Sequence, residues 1–260
     1  MFEVKIRKLE RRGMAHEQRC EDDSLAFSYN QIAVLIVFDG CSSGTDSYFA
    51  SALFAKIFKK IAIEGKGYFE SLNENSHLET IAYTIIHWFF EELKYVVNYL
   101  ELDISEVLST IVFSLVNIKT KKSYSVIFGD GSIYVNGETF SVHAENNAPN
   151  YIAGHLNEQF YDVWENNCAF KRNFDVKETI AVLSDGIDSF RSYREGRYVN
   201  DIEKEDILYR FFRSGRFLDS KIGLAKICNI LDSEKHIAPS DDLSIAHITF
   251  VEKSEKNEAV

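Results

Sequence analysis

The sequence predicts an α+β protein made of antiparallel sheets with helices segregated onto their outer faces. Two observations lead there. Strand-like and helix-like segments come in separate runs along the 260 residues, whereas a doubly wound parallel sheet would alternate them. The stretch Ile32–Phe38 is apolar without interruption, as expected of a strand buried on both faces.

Val4–Lys8 lies in an N-terminal stretch that alternates apolar and charged residues, the period of a half-buried strand. It lacks the unbroken apolar core of a signal peptide. Ser24–Ser28 and Ile32–Phe38 follow as strands. The period then changes: from Asp46 to Ala62 and from His77 to Leu100, apolar residues recur every three or four positions, which predicts helices packed by one face. The most membrane-like stretch, Ile81–Leu100, carries Glu91, Glu92 and Lys94, so it is expected against a sheet and not in a bilayer.

Strands return at Ile111–Val116, Ser123–Phe128 and Ser132–Val135, and Asn136-Gly137 marks a hairpin turn. Residues 144–172 are polar and irregular, and are expected as loop with short strands around a site. Glu178–Ser184 and Leu243–Val251 are expected strands; Asn200–Arg213 and Ser220–Leu231 are expected helices. No internal repeat is visible. The expected organisation is one domain over residues 1–252 and a short charged tail, 253–260.

Composition narrows the function. Lys and Arg number 29 against 40 Asp and Glu, so the net charge of −11 repels a phosphate backbone, and no long basic block offsets it; nucleic-acid binding is not expected. Cys20, Cys41, Cys168 and Cys228 form no CxxC pair, which argues against a zinc knuckle or a secreted disulfide scaffold and for a reducing, cytoplasmic setting. No membrane partner is expected.

The strongest chemical signal is a set of aspartates at the ends of apolar runs: Asp39 in Val-Phe-Asp-Gly, Asp130 in Phe-Gly-Asp-Gly, Asp185 in Leu-Ser-Asp-Gly and Asp241 in Pro-Ser-Asp-Asp-Leu-Ser. Carboxylates converging at strand ends repel one another unless a cation neutralises them, and a hard divalent ion, Mg²⁺ or Mn²⁺, suits oxygen ligands. One Asp-Gly alone is ordinary turn chemistry.

The ordered set is more specific. Cys20-Glu21-Asp22-Asp23, Phe38-Asp39-Gly40-Cys41-Ser42-Ser43-Gly44, Ser109-Thr110, Gly129-Asp130-Gly131, Ser184-Asp185-Gly186 and Asp241-Asp242-Leu243-Ser244 span nearly the whole chain. In that order they resemble the metal-dependent protein serine/threonine phosphatases of the protein phosphatase 2C-like, or PPM, family. Gly13, His16 and Asn147-Ala148-Pro149-Asn150-Tyr151 make it similar to a mainly bacterial branch.

The resemblance implies a four-layer α-β-β-α sandwich with the metal centre at one edge. It also implies hydrolysis of phosphoserine and phosphothreonine by a hydroxide held between two Mn²⁺ or Mg²⁺ ions about 4 Å apart. Asp39 and Asp185 would form the catalytic centre. Asp39 is the implied bridging carboxylate, the Gly40 carbonyl a further ligand, and Asp185 and Asp241 complete the second ion's shell. Asp22 would hold bound waters, with Asp23 the alternative, one residue out of register. Asp130 matches an aspartate that joins Asp185 at a weaker third ion. The implied partner is a phosphoprotein, the substrate of a serine/threonine kinase.

Two positions depart from the family pattern. Many members carry a His directly after the Asp-Gly to assist proton transfer, and here that residue is Cys41, with a water or His16 as a substitute. Others place an arginine before the acidic pair to hold phosphate; here Gln18 or Glu17 stands there, and Arg19 or Arg12 is the candidate replacement. Cys41 lacks the Cys-x5-Arg loop of a thiol nucleophile, so it is expected as a neighbouring thiol. His87 is expected to pack within its helix, and Tyr193, Arg194 and Arg197 to lie in a solvated loop, with a substrate-facing flap after the Asp185 strand as the alternative. Two other readings stay open: a non-catalytic phosphatase-fold binding module, and a phosphatase of a small phosphorylated metabolite.

Overall fold

The computed structural model describes residues 2–16, 19–144, 149–194, 197–215, 217 and 220–252. Glu17, Gln18, Asn147, Ala148 and the tail 253–260 lie outside the described residues.

The chain opens with three strands, β1 (Phe2–Arg11), β2 (Asp22–Tyr29) and β3 (Ile32–Asp39), then three helices, α1 (Ser47–Glu64), α2 (Lys66–Ser71) and α3 (Leu78–Tyr99). Strands β4 (Ile111–Asn117), β5 (Lys122–Phe128), β6 (Gly131–Val135) and β7 (Glu138–Val142) follow. After α4 (Phe160–Asn166) come β8 (Phe170–Asp175), β9 (Thr179–Leu183), β10 (Phe190–Arg194) and β11 (Arg197–Asp201). Helices α5 (Lys204–Phe212) and α6 (Gly223–Lys235) lead to β12 (Ile237–Pro239) and β13 (Leu243–Glu252).

Two five-stranded antiparallel sheets, β1-β13-β9-β6-β7 and β2-β3-β4-β5-β8, form the sandwich, and β11-β10-β12 make a small third sheet. The alternation within β3 shows why it is apolar throughout. Ile32, Val34, Ile36 and Phe38 point to α1 and α3, joining Phe54, Phe58 and Phe89 in one cluster. Ala33, Leu35 and Val37 point the other way, to Ile180, Val182, Ala246 and Ile248 of the facing sheet. A third cluster seats Phe211, Leu224 and Leu231 of α5 and α6 on Leu183, Leu243 and Ile245. The layers are therefore helices, sheet, sheet, helices, as the four-layer sandwich requires.

Several expected segments differ. Residues 144–172 include a full helix, α4, whose Phe160, Val163 and Trp164 are buried against α3. Its short length and polar flanks hide the helical period. Tyr193, Arg194 and Arg197 belong to an antiparallel hairpin and not to a loop. The helix expected from Asn200 begins only at Lys204, because Asn200 and Asp201 pair in that hairpin. His87 stacks on Phe160 with ring centroids 4.8 Å apart, a packing role as expected. Among the described residues no helix is long and apolar enough to cross a membrane.

Candidate metal centre

The antiparallel register carries acidic residues to one edge of the sandwich. Asp22 at the start of β2 stands directly opposite Asp39 at the end of β3. Asp39 shares the phase of Leu35 and Val37, so it faces the second sheet. From that sheet Asp185 follows β9, and Asp241 and Asp242 precede β13. Ser132 of β6 pairs with Leu183, which brings Asp130, in the β5–β6 turn, toward Asp185.

The register also separates Asp22 from Asp23. Asp22 is buried amid Ser184, Ser244, Asp242 and Asp185. Asp23 points the other way, half-buried near Glu10, Lys8 and Lys59, with its carboxylate taking the Ser24 amide at 2.7 Å. If Asp22 serves the reaction, Asp22→Asn lowers turnover by about 10–100-fold, whereas Asp23→Asn stays within about twofold. Steady-state kinetics on the two variants checks the contrast, and equal losses would refute it.

The electrostatics of the cluster are those of a site short of countercharge, with His143 the basic group that acts on Asp185 and Asp130. Burial pushes Asp22 well above the usual carboxylate range, and the charges of Asp242 and Asp185 push it further. Burial raises Asp39 as well, with Asp22, Asp185 and Asp241 adding to it. The charge of Asp185 is among those that raise Asp39. Burial also raises Asp185 itself. Asp130 is raised to about 6, mainly by burial and then by Asp185.

A divalent cation fits this donor set. Both carboxylate oxygens of Asp22 and Oδ1 of Asp185 are buried without a well-formed hydrogen bond, and the Ser184 and Ser244 hydroxyls beside Asp22 offset its burial only in part, a costly arrangement for anionic oxygens. No lysine or arginine is among the principal groups acting on Asp22, Asp39 or Asp185. The oxygens are gathered but not converged: among the described residues no three His, Cys, Asp or Glu are already arranged to hold an ion.

Close backbone approach completes the edge. A Cβ on Gly40 would lie 2.0 Å from the Ser47 carbonyl oxygen, and one on Gly186 would lie 1.8 Å from that of Asp242. Only glycine lets these turns pack, which is the physical content of two of the Asp-Gly motifs. Thr110 supports Asp39 from β4, its amide donating to the Asp39 carbonyl at 2.8 Å and its hydroxyl accepting from the Asp39 amide at 3.2 Å.

Three features escaped the sequence reading. Asp242 is only 2 % exposed and accepts amide hydrogens from Gly13, at 2.6 Å, and from Glu21, so it staples the start of β13 to the N-terminal loop. The alternation running back from Ile248 through Ala246 and Ser244 to Asp242 is the signal for its inward direction. Cys41 bonds Ser43 at 3.1 Å and the Tyr151 side chain. Burial raises its thiol pKa, but those hydrogen bonds outweigh burial and leave it below the ordinary value. Arg19 stacks on Tyr48 at 4.3 Å, and both line a cleft of about 540 Å³ with His16, Glu21 and Ser42. Nothing local in the sequence announces those last two pairings.

A sandwich of this layering with an acidic edge has the architecture of a phosphatase. The family model described as Protein phosphatase 2C matches residues 12–227, and the chain belongs to that family. No curated protein matches the sequence significantly. Solved structures share the fold at low identity. The S. agalactiae serine/threonine phosphatase is 14% identical with a TM-score of 0.60, over 96% of this chain and 100% of that one. RsbX in complex with magnesium is 14% identical with a TM-score of 0.54, over 96% and 100%. The phosphatase domain and regulatory-domain fragment of SpoIIE from Bacillus subtilis is 14% identical with a TM-score of 0.58, over 97% of this chain and 64% of that one.

Proposed function

We propose that this chain is a divalent-cation-dependent phosphatase acting on phosphoserine and phosphothreonine in proteins. The observation that carries the reading is the Asp22–Asp39–Asp185 cluster, in which a buried Asp22 and the half-buried Asp39 and Asp185 meet with no lysine or arginine among their principal neighbours. Asp39, Asp185, Asp241 and the Gly40 carbonyl would hold two Mn²⁺ or Mg²⁺ ions, with Asp22 alongside and Asp130 beside Asp185 for a weaker third. When bound, such ions make hydroxide available near neutral pH and offset charge on the phosphoryl oxygens.

The protein's own contribution is placement. Pairing of β2 with β3 fixes Asp22 opposite Asp39, and Thr110 holds the Asp39 backbone. Tyr48 holds the Arg19 guanidinium at the rim of the cleft beside the acidic edge, where it can pair with a phosphate oxygen. Arg19→Ala is therefore expected to raise KM for a phosphopeptide by about tenfold, the scale of one charge-assisted hydrogen bond, with a smaller change in kcat. A loss confined to kcat would refute the binding role.

A magnesium-bound neighbour, RsbX, supports the cation, and the serine/threonine phosphatase from S. agalactiae supports the substrate class. We place the enzyme in the cytoplasm, acting on a kinase's phosphoprotein product, with one domain over residues 1–252. The direct test is hydrolysis of p-nitrophenyl phosphate, phosphopeptides and sugar phosphates in EDTA, Mg²⁺ or Mn²⁺. Cation-dependent turnover that favours phosphopeptides is the expected result. Preference for sugar phosphates would move the substrate to a small metabolite. Cys41 in place of a proton-transferring His favours one rival, a phosphatase-fold binding module, and absence of both turnover and cation binding would select it.

A further inference from the structure

Asp241 differs from the other acids at this edge in being exposed. Its side chain is 48% accessible, and it sits in the turn before β13 instead of inside a ladder. A half-exposed carboxylate on a turn rotates freely unless something holds it, yet a metal ligand has to present one oxygen in one direction. One hydrogen bond and one close polar contact meet on a single oxygen here. The Asp242 amide donates to Asp241 Oδ1 at 2.8 Å, and His16 Nε2 lies 2.9 Å from the same Oδ1. Oδ2 is left as the oxygen available to the cluster, close enough for the Asp241 charge to act on Asp39 and Asp185.

His16 is itself held. Its Nδ1 lies 3.4 Å from Asp242 Oδ2 and 3.7 Å from Glu21 Oε2, and its side chain is only 17% accessible. Asp242 in turn is fixed by the Gly13 and Glu21 amides. The backbone closes the frame: Met14 and Ala15 amides donate to the Pro239 and Ser240 carbonyls at 3.0 and 2.9 Å. Gly13 admits this contact because a Cβ there would lie 2.3 Å from the Asp241 carbonyl carbon. The N-terminal loop thus lies against the turn that carries Asp241, and His16 is the side chain it extends to the carboxylate.

We infer that His16 is a positioning residue that fixes Asp241 through Oδ1 and so sets the site's affinity for a divalent cation. The inference rests on the proposed metal centre and adds to it an acting part for the loop 13–16. It concerns the 2.9 Å approach of Nε2 to Oδ1, so a side chain that places a nitrogen donor where Nε2 stands should replace the imidazole. Glutamine reaches that position with its amide; asparagine reaches only the place of Nδ1.

The test is calorimetric titration of Mn²⁺ into the 260-residue chain and its His16→Ala, His16→Asn and His16→Gln variants. Circular dichroism and thermal melts in EDTA confirm that each variant folds. His16→Ala and His16→Asn are expected to weaken Mn²⁺ binding about 10–100-fold, the usual cost of losing a residue that orients a metal ligand. His16→Gln should stay within about threefold of the parent by the same reasoning. Unchanged affinity in His16→Ala, or equal losses in Ala and Gln, would overturn the inference while leaving the metal centre in place. Failure of the parent itself to bind Mn²⁺ would overturn the metal centre and the inference together.

Discussion

Asp39→Asn is expected to abolish most turnover and at the same time to stabilise the metal-free protein. If Asp39 holds the cations as proposed, its loss removes a preorganised electrostatic contact, on the order of a 10²–10³-fold loss in kcat. The stability effect follows from its ionisation. Asp39 lies among Asp22, Asp185 and Asp241, all of which raise its pKa in the folded state. Between the ordinary value near 4 and that raised value, the folded chain binds a proton the unfolded chain does not, so stability falls as pH rises. At pH 8 in EDTA the wild-type chain carries more of this penalty than at pH 5, and asparagine, with no charge, carries none. A gain of about 1 kcal/mol would raise Tm by ~2–4 °C. Mn²⁺ reverses the ranking: wild-type protein gains about 2.7 kcal/mol at a concentration of 100 Kd, and the variant gains little. Melting curves at pH 5 and 8, with and without Mn²⁺, check all of this. A variant less stable than wild type in EDTA at pH 8 would show that the cluster is not under electrostatic strain.

The same crowding explains how much could be read from the sequence. The aspartates at strand ends were visible because a carboxylate interrupts an apolar run abruptly, and their order along the chain pointed to the family. The continuous run in β3 announced burial on both faces, and the structure divides its residues between the helix side and the sheet side. Directions were harder. Whether Asp22 or Asp23 turns inward depends on the phase of β2, and adjacent acids give no phase of their own. The register opposite Asp39 decides it. Helix α4 and the β10–β11 hairpin were missed because tertiary contacts stabilise short elements with mixed polarity. α4 is held by Phe160 and Trp164 packing on Tyr83, and the hairpin is joined to β12 through pairs such as Phe190 with Pro239. Arg19 on Tyr48 and His16 on Asp241 are contacts between segments far apart in the chain, which no local pattern encodes.

Acid is expected to unfold this protein through His247, away from the acidic edge. His247 lies in β13 at 1% exposure, with the Phe212 ring 4.9 Å away. The Thr179 hydroxyl gives its proton to the Ile248 carbonyl at 3.1 Å, so its oxygen takes the Nε2 proton of His247 at 2.6 Å. Thr249 lies 2.7 Å from the same nitrogen. That arrangement leaves Nδ1 as a buried lone pair with no partner. Protonating it would bury a charge with no acceptor, and burial, aided by the charge of Arg7, lowers the pKa to about 3. An unfolded histidine titrates near 6.5. Between about 6.5 and 3 the unfolded chain therefore binds a proton that the folded chain refuses, and stability falls by up to about 1.4 kcal/mol per pH unit as pH drops. By pH 5 the loss approaches about 2 kcal/mol. The raised carboxylates push the opposite way in metal-free protein, so wild type alone does not isolate the effect. The difference between wild type and His247→Gln does, because both share the same carboxylates. Urea unfolding at intervals from pH 7.5 to 4.5 should show glutamine less stable at the top of the range, where it loses the imidazole's packing. The gap should close steadily below pH 6.5. A gap independent of pH would mean that His247 is protonated in the fold. β13 begins two residues after Asp241, so unfolding here also dismantles the acidic edge. Activity lost in acid should then track the unfolded fraction before it tracks release of the cations.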